Sequence, residues 1–286
     1  SAGEGTDYGD YNRLILEHLA ATSDSPHPID LTELIPRWKA ALTTWRAWMC
    51  TQTKQTLQQV MHGVPFDRLG GNSNAMAVRY ASAFGYFDTE GAVVEAALTA
   101  MFTHRERSAR QGAEFFARVT FRIIHQGLSP ARAIDEVAAE SPRFIQSKVA
   151  QAKAKVTEAT DPASALSKEE FVDDLALTSM ARLWDVGKTE PIKVGKASPT
   201  EGTLPGSIYF ILKYAGDFAG AAKANALVGG DSASRAVAVG MVMGAAGGLE
   251  AIPDEFASGK LVEWESSMEL MRQLPLLSSG GHSAEL

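Results

Sequence analysis

The feature that most limits the fold of this chain is the spacing of its apolar residues. It follows a helical repeat almost throughout and nowhere alternates with period two over a useful length. Strands are therefore expected to be few or absent. Leu14, Ile15 and Leu19 share one side of a helix over Asn12–Ala21, after a polar, glycine-containing start. The Ser23-to-Pro28 stretch is a turn. Asp30 stands three residues before Glu33, the spacing of a capping box that closes exposed amides at a helix start. The helix it opens carries Trp38, Leu42, Trp45 and Met49 at helical spacing, a core stripe rather than a cofactor box.

Loops at Gly63–Pro65 and Gly70–Ser73 interrupt this pattern. Further helices are predicted over Ala75–Phe84, Gly91–Phe102, Arg105–His125, Pro130–Ala139, Arg143–Glu158 and Ser167–Trp184. Lys153, Lys155 and Glu158 read as a solvated face. Gly187–Leu204 is a polar loop, of a length that often sits beside a site. Pro205 suits the first turn of a helix running through Ile208, Leu212, Phe218 and Ala222. No fixed-period repeat and no interdomain linker stand out, so a single all-α domain over 1–286 is expected.

The longest apolar run, Ala236–Leu249, has 14 residues, four of them glycine. A membrane span needs roughly 20, so the run reads as a buried core helix whose Gly240, Gly244, Gly247 and Gly248 permit close backbone approach. At 286 residues and 45% hydrophobic the chain can bury a sizeable core. Its 34 acids against 27 bases, a net −7, argue against nucleic-acid binding. The single cysteine, Cys50, excludes an internal disulfide and a Cys-rich zinc site, and reads as a small buried hydrophobe. The numbering begins at Ser1 without methionine, consistent with removal of an initiator or of a longer segment. A soluble, intracellular protein is expected, in the cytoplasm or in an organelle after loss of a leader.

Three segments carry possible chemistry: Tyr8–Asn12 near the first helix, the glycine and amide loop Gly70–Met76, and the Gly229–Ser234 turn followed by Arg235. Each alone has a plain structural reading. Asp231 or Ser232 can cap a helix, Asp10 can do the same, and Asn72-Ser73-Asn74 can be a turn bonded to its own backbone. Thr103-His104 lies at a helix start, where a lone histidine is usually structural. No metal-binding histidine pair, Gly-x-Ser-x-Gly elbow or phosphate loop is present.

In this order, an early Asp, a Gly-Asn-x-x-Ala-Met loop, Thr-His and a late Gly-Gly-Asp-Ser-x-Ser turn resemble the ADP-ribosylglycohydrolase superfamily over nearly the whole chain. The branch with the J-crystallins and selenoprotein J is the most similar. Its pattern appears in Tyr8-Gly9-Asp10, Ala113–Arg118, Glu201–Pro205, Asn225–Arg235 and Ile252-Pro253. The resemblance implies an orthogonal multi-helix bundle. In active members it implies two magnesium or manganese ions that bind ADP-ribose hydroxyls and activate water.

Carried over by position, Asp10 matches the second early aspartate, Asp231 the first late aspartate and Ser234 the late hydroxyl. Gly9, Tyr11 and Ala233 replace an aspartate, a threonine and an aspartate. Two ions about 4 Å apart repel unless carboxylates offset them, so the resemblance implies no metal, or one weakly held magnesium on Asp10, Asp231 and Ser234. Active members also have a helix and acidic loop before the early aspartates, and this chain starts almost at that point.

No catalytic residue is assigned. The resemblance puts Asn72, Ser73, Asn74 and Met76 near the adenosine or ribose side of the cleft, and Arg235 near its floor. Three functions follow. One is a catalytically degenerate, crystallin-like structural or interaction protein with protein partners in a larger assembly, through Trp264, Leu274–Leu277 or the Gly187–Leu204 loop. The others are a metal-dependent ADP-ribosyl hydrolase with an altered or single-metal site, and a module that binds an ADP-ribose-like ligand without turnover.

Overall fold

The computed structural model describes residues 3–25, 27, 29–45, 48–180, 182–183, 189, 192–193, 196–257 and 260–278. Its α-helices are α1 (Asp7–Ala21), α2 (Leu31–Thr43), α3 (Thr51–Met61), α4 (Glu90–Ala100), α5 (Arg107–Gln126), α6 (Pro130–Glu140) and α7 (Arg143–Thr160). They continue with α8 (Val172–Met180), α9 (Thr200–Lys213), α10 (Phe218–Val228), α11 (Ser232–Gly247), α12 (Trp264–Met271) and α13 (Pro275–Ser278). One antiparallel pair, β1 (Arg182–Leu183) with β2 (Ile192–Lys193), is the only named sheet among the described residues. The all-α class is found. No described helix is long and apolar enough to cross a membrane.

The chain divides into two compact units. The first comprises Ser1–Ser73, Ala77–Glu106 and Asp254–Leu286; the second comprises Asn74–Met76 and Arg107–Pro253.

In the first unit, α1 begins at Asp7, earlier than the apolar spacing suggested, because Thr6 caps it by accepting from Gly9 N. Asp10 therefore lies in the first turn rather than ahead of the helix. Asp30 caps α2 through Thr32 N at 2.6 Å, and Trp38 and Leu42 enter the core. The stripe stops there. The helix ends at Thr43, leaving Trp45 and Met49 beyond it. Cys50, only partly buried, caps α3 by accepting from Thr53 N. The helix expected over Ala75–Phe84 does not form. The chain is extended and closes in a 3₁₀ turn at Ala81–Gly85, because Asn12 of α1 takes over its polar groups. Asn12 Nδ2 donates to Val78 O at 2.8 Å and Asn12 Oδ1 accepts from Ala81 N at 3.1 Å.

The second unit is built around α5 and α9. Phe115, Phe116 and Val119 of α5 are at most 1% exposed, and burying side chains of this size contributes about 1.5–3 kcal/mol each. Every residue of α9 from Thr203 to Ile211 is buried, so this helix is apolar or small all round. Pro205 lies inside α9 rather than in its first turn. The expected long helix to Ala222 is two helices. Gly216 turns the chain at φ +81°, and Asp217 then caps α10 through Gly220 N at 2.8 Å. Ser167–Trp184 likewise shortens to α8, with Leu166–Lys168 as a separate 3₁₀ turn. Residues 187–188, 190–191 and 194–195 of the Gly187–Leu204 segment lie outside the described residues; from Thr200 onward that segment belongs to α9. The glycine-rich helix α11 buries only one face: Val239, Val242 and Met243 are covered while Ala246 to Gly248 are exposed. A Cβ added at Gly240 or Gly244 would meet nothing within 4 Å, so the expected close approach is not made there. It occurs at Gly206 of α9, where an added Cβ would sit 3.1 Å from Arg235 Cδ.

Candidate functional site

The late turn is held by a closed ring of hydrogen bonds. Gly229 and Gly230 both adopt positive φ, +69° and +66°, which L side chains rarely do. Asp231 then caps α11, its carboxylate accepting from Ser234 N at 3.1 Å. Asn225, 2% exposed, reaches across the turn in both directions. Its Nδ2 donates to Ser232 O at 2.8 Å and its Oδ1 accepts from Arg235 Nε at 2.8 Å. Arg235 Nη2 donates to Gly229 O at 2.6 Å, which closes the ring of bonds. From the other side Lys196 O accepts Asp231 N at 2.7 Å, and Lys196 Nζ pairs with Asp174.

Arg235 is 1% exposed, and burial pushes its guanidinium down to about 10, still charged at neutral pH. Its Nε and Nη2 donors bind the turn itself, which makes it a positioning group for Gly229–Ser234. Ser234 Oγ donates to Met76 O at 3.2 Å, so the structure brings these two candidate residues together. Asn74 Nδ2 donates to Glu201 Oε2 at 3.1 Å, while its carbonyl accepts from both Thr200 N and Thr200 Oγ1. The Asn74–Met76 strip is thereby tied to the start of α9.

In the first unit, Asn72 is exposed and Ser73 half-buried on a loop that α3 clamps with two glutamines seven residues apart. Gln59 accepts from Gly70 N at 2.8 Å and donates to Gly70 O at 3.2 Å. Gln52 Oε1 accepts from Ser73 N at 3.3 Å. The loop also pairs with the Thr103–Arg105 segment through Gly71, whose N donates to Thr103 O and whose O accepts from Arg105 N. These glutamines were not singled out from sequence, although their shared helix face was a readable signal.

Asp10 borders two clefts. One, of about 370 Å³, is walled by Arg13, Glu17, Trp45 and Glu263. The other, of about 350 Å³, includes Asn12, Trp264 and Met271. Burial and the Glu263 charge raise the Asp10 carboxyl above its ordinary value, against the opposing pull of Arg13. Neither cleft is lined by Asn72 or Ser73. Of the proposed contact residues, Leu274 is fully buried, packed where Gly85 lacks a side chain, so it cannot present itself to a partner. Leu276 and Leu277 are exposed.

The donors do not fit a two-ion centre. Among the described residues, neither unit gathers three or more His, Cys, Asp or Glu side chains in metal-binding proximity. The late turn contributes one carboxylate, engaged as a cap, and the hydroxyls of Ser232 and Ser234. Tyr11 is 2% exposed with its ring stacked on Trp45, inside the core rather than on a cleft surface.

The helical fold is shared with solved structures. One solved structure, described as an ADP-ribosylglycohydrolase-related protein complex, matches with a TM-score of 0.61 and 18% identity. The match covers 96% of this chain and 81% of that one. The family model described as ADP-ribosylglycohydrolase matches residues 1–282, and the chain belongs to that family. No curated protein sequence matches it.

Proposed function

We propose that this chain is a catalytically degenerate member of its family, close to the J-crystallin and selenoprotein J branch, serving as a structural or interaction component of a larger assembly. The observation that carries this reading is the state of the late turn. Its backbone is held by Asn225, Arg235 and Lys196, while Ala233 supplies no carboxylate and Asp231 is occupied in capping. An intact scaffold with a reduced donor set fits retention of the fold for its surface.

Two measurements test this. Purified protein incubated with an ADP-ribosylated peptide and magnesium is expected to release no more ADP-ribose than its Asp231→Ala variant. Release that chelation abolishes would instead favour the altered-metal hydrolase. Size measurement in native extract is expected to place the chain in a particle larger than itself; a free monomer there would remove the assembly role.

A further inference from the structure

The first unit contains a buried cation that this reading leaves without a task. Arg79 is 4% exposed. Its guanidinium carbon lies 4.1 Å from the centre of the Tyr11 ring, on which the Trp45 indole also stacks. Nη1 donates to Thr103 Oγ1 at 2.9 Å, and Thr103 Oγ1 is 2.8 Å from His104 Nδ1. Burial first, and the Arg79 charge second, push His104 down to about 3. The imidazole is neutral at physiological pH and adds no second positive charge.

What surrounds this cation is short of acceptors. Arg79 Nε has no protein acceptor, and neither has Gln52 Nε2. Among the described residues no carboxylate is paired with Arg79. A guanidinium does not lose its proton inside a protein, and a buried ion without a counter-charge is strongly unfavourable. Buried donors are normally satisfied. A group that only accepts, carries negative charge and is small complements such a cluster.

We propose that Arg79 forms the core of an internal binding site for a small inorganic anion, a halide or a compact oxyanion such as phosphate. The anion accepts from Arg79 Nε and balances the guanidinium charge beside the Tyr11 ring. Thr103 links the site to the candidate loop, because its carbonyl accepts from Gly71 N while its side chain accepts from Arg79. Occupancy therefore stiffens the segment that presents Asn72 and Ser73. The proposal does not depend on the reading of the late turn.

The test uses the full chain dialysed into gluconate at constant ionic strength, then titrated separately with bromide and with phosphate. A ligand bound only by the folded state raises the melting temperature, on the order of 5 °C near a hundredfold excess over its Kd for a chain of this size. Comparison of the two titrations distinguishes halide from oxyanion. Crystals soaked in the anion that gave the thermal response, bromide itself or arsenate in place of phosphate, should show an anomalous peak within hydrogen-bond reach of Arg79 Nε. Arg79→Met, apolar and of similar length, should lose the thermal response. If that variant does not fold, the anomalous peak in the unaltered protein decides the matter alone. A water without anomalous signal at Nε, a response to neither anion, or an equal response in Arg79→Met would overturn the proposal.

Discussion

Substituting alanine for Gly230 probes how the late turn is built. Gly230 has φ +66°, and an added Cβ would sit 2.2 Å from Lys196 O and 2.8 Å from Lys196 C. Those are backbone atoms, which cannot swing aside as a side-chain tip would. The left-handed conformation costs an L residue about 1–2 kcal/mol. Displacing the Lys196 carbonyl also breaks its 2.7 Å bond from Asp231 N, a further loss of about 1 kcal/mol. The expected total is roughly 2–3 kcal/mol. Gly229→Ala is the control for the Lys196 contact alone: its backbone at φ +69°, ψ −151° lies in a region nearly restricted to glycine, yet nothing lies within 4 Å of its added Cβ. Urea unfolding followed by circular dichroism gives the two stabilities, and amide exchange reports the Asp231 N–H directly. Gly230→Ala should show roughly fivefold faster local exchange at Asp231, a change that Gly229→Ala does not share. An unchanged Asp231 amide in Gly230→Ala would refute the claim that the Lys196 carbonyl is seated against the turn.

Two further outcomes follow from the second unit. Asn225→Ala removes an acceptor from buried Arg235 and a donor to Ser232 O, so thermal or chemical unfolding should show a loss of about 2–4 kcal/mol. Asp173 accepts from Tyr209 and Tyr214 at 2.6 Å each and pairs with Lys213. Burial alone would raise its carboxyl, but these three partners outweigh it and hold the group below its ordinary 3.8. Its stabilisation is thus present above that unfolded value and is lost as pH falls through the lower folded value. Asp173→Asn should cost about 2 kcal/mol at pH 7, with a flatter stability profile below pH 4; an unaltered acid limb would show that the cluster does not act as described.

The helices were legible wherever an apolar stripe coincided with a cap. α2 and α6 are examples, capped by Asp30 and Ser129, while α5 and α7 were legible from their apolar spacing alone. Ala75–Phe84 failed because its spacing suits a helix while Asn12, 66 residues away from Val78, claims its backbone. No local pattern encodes that bond. Gly216 and Asp217 were visible as a turn-and-cap pair, but the flanking apolar residues kept helical phase and masked the break. At the site, the motif order located the turn and the loop correctly as elements. What it could not reveal was the bonding of Arg235: a cation beside an inherited site looks like a ligand group until Asn225 and Gly229 are seen to use its donors. Arg79 escaped notice for the same reason, since burial is a property of the folded unit.

The clamp of Asn225 and Arg235 on the late turn bears on how such a protein can change over time. Ala233 sits in the first turn of α11, half-buried and outside that ring of bonds. Carboxylate or methyl can occupy position 233 without altering what holds the turn, and a carboxylate there would be mildly favoured by the helix N-terminus. A carboxylate gained or lost at this position would leave the bonds that hold the turn in place, so selection on stability alone would oppose neither change.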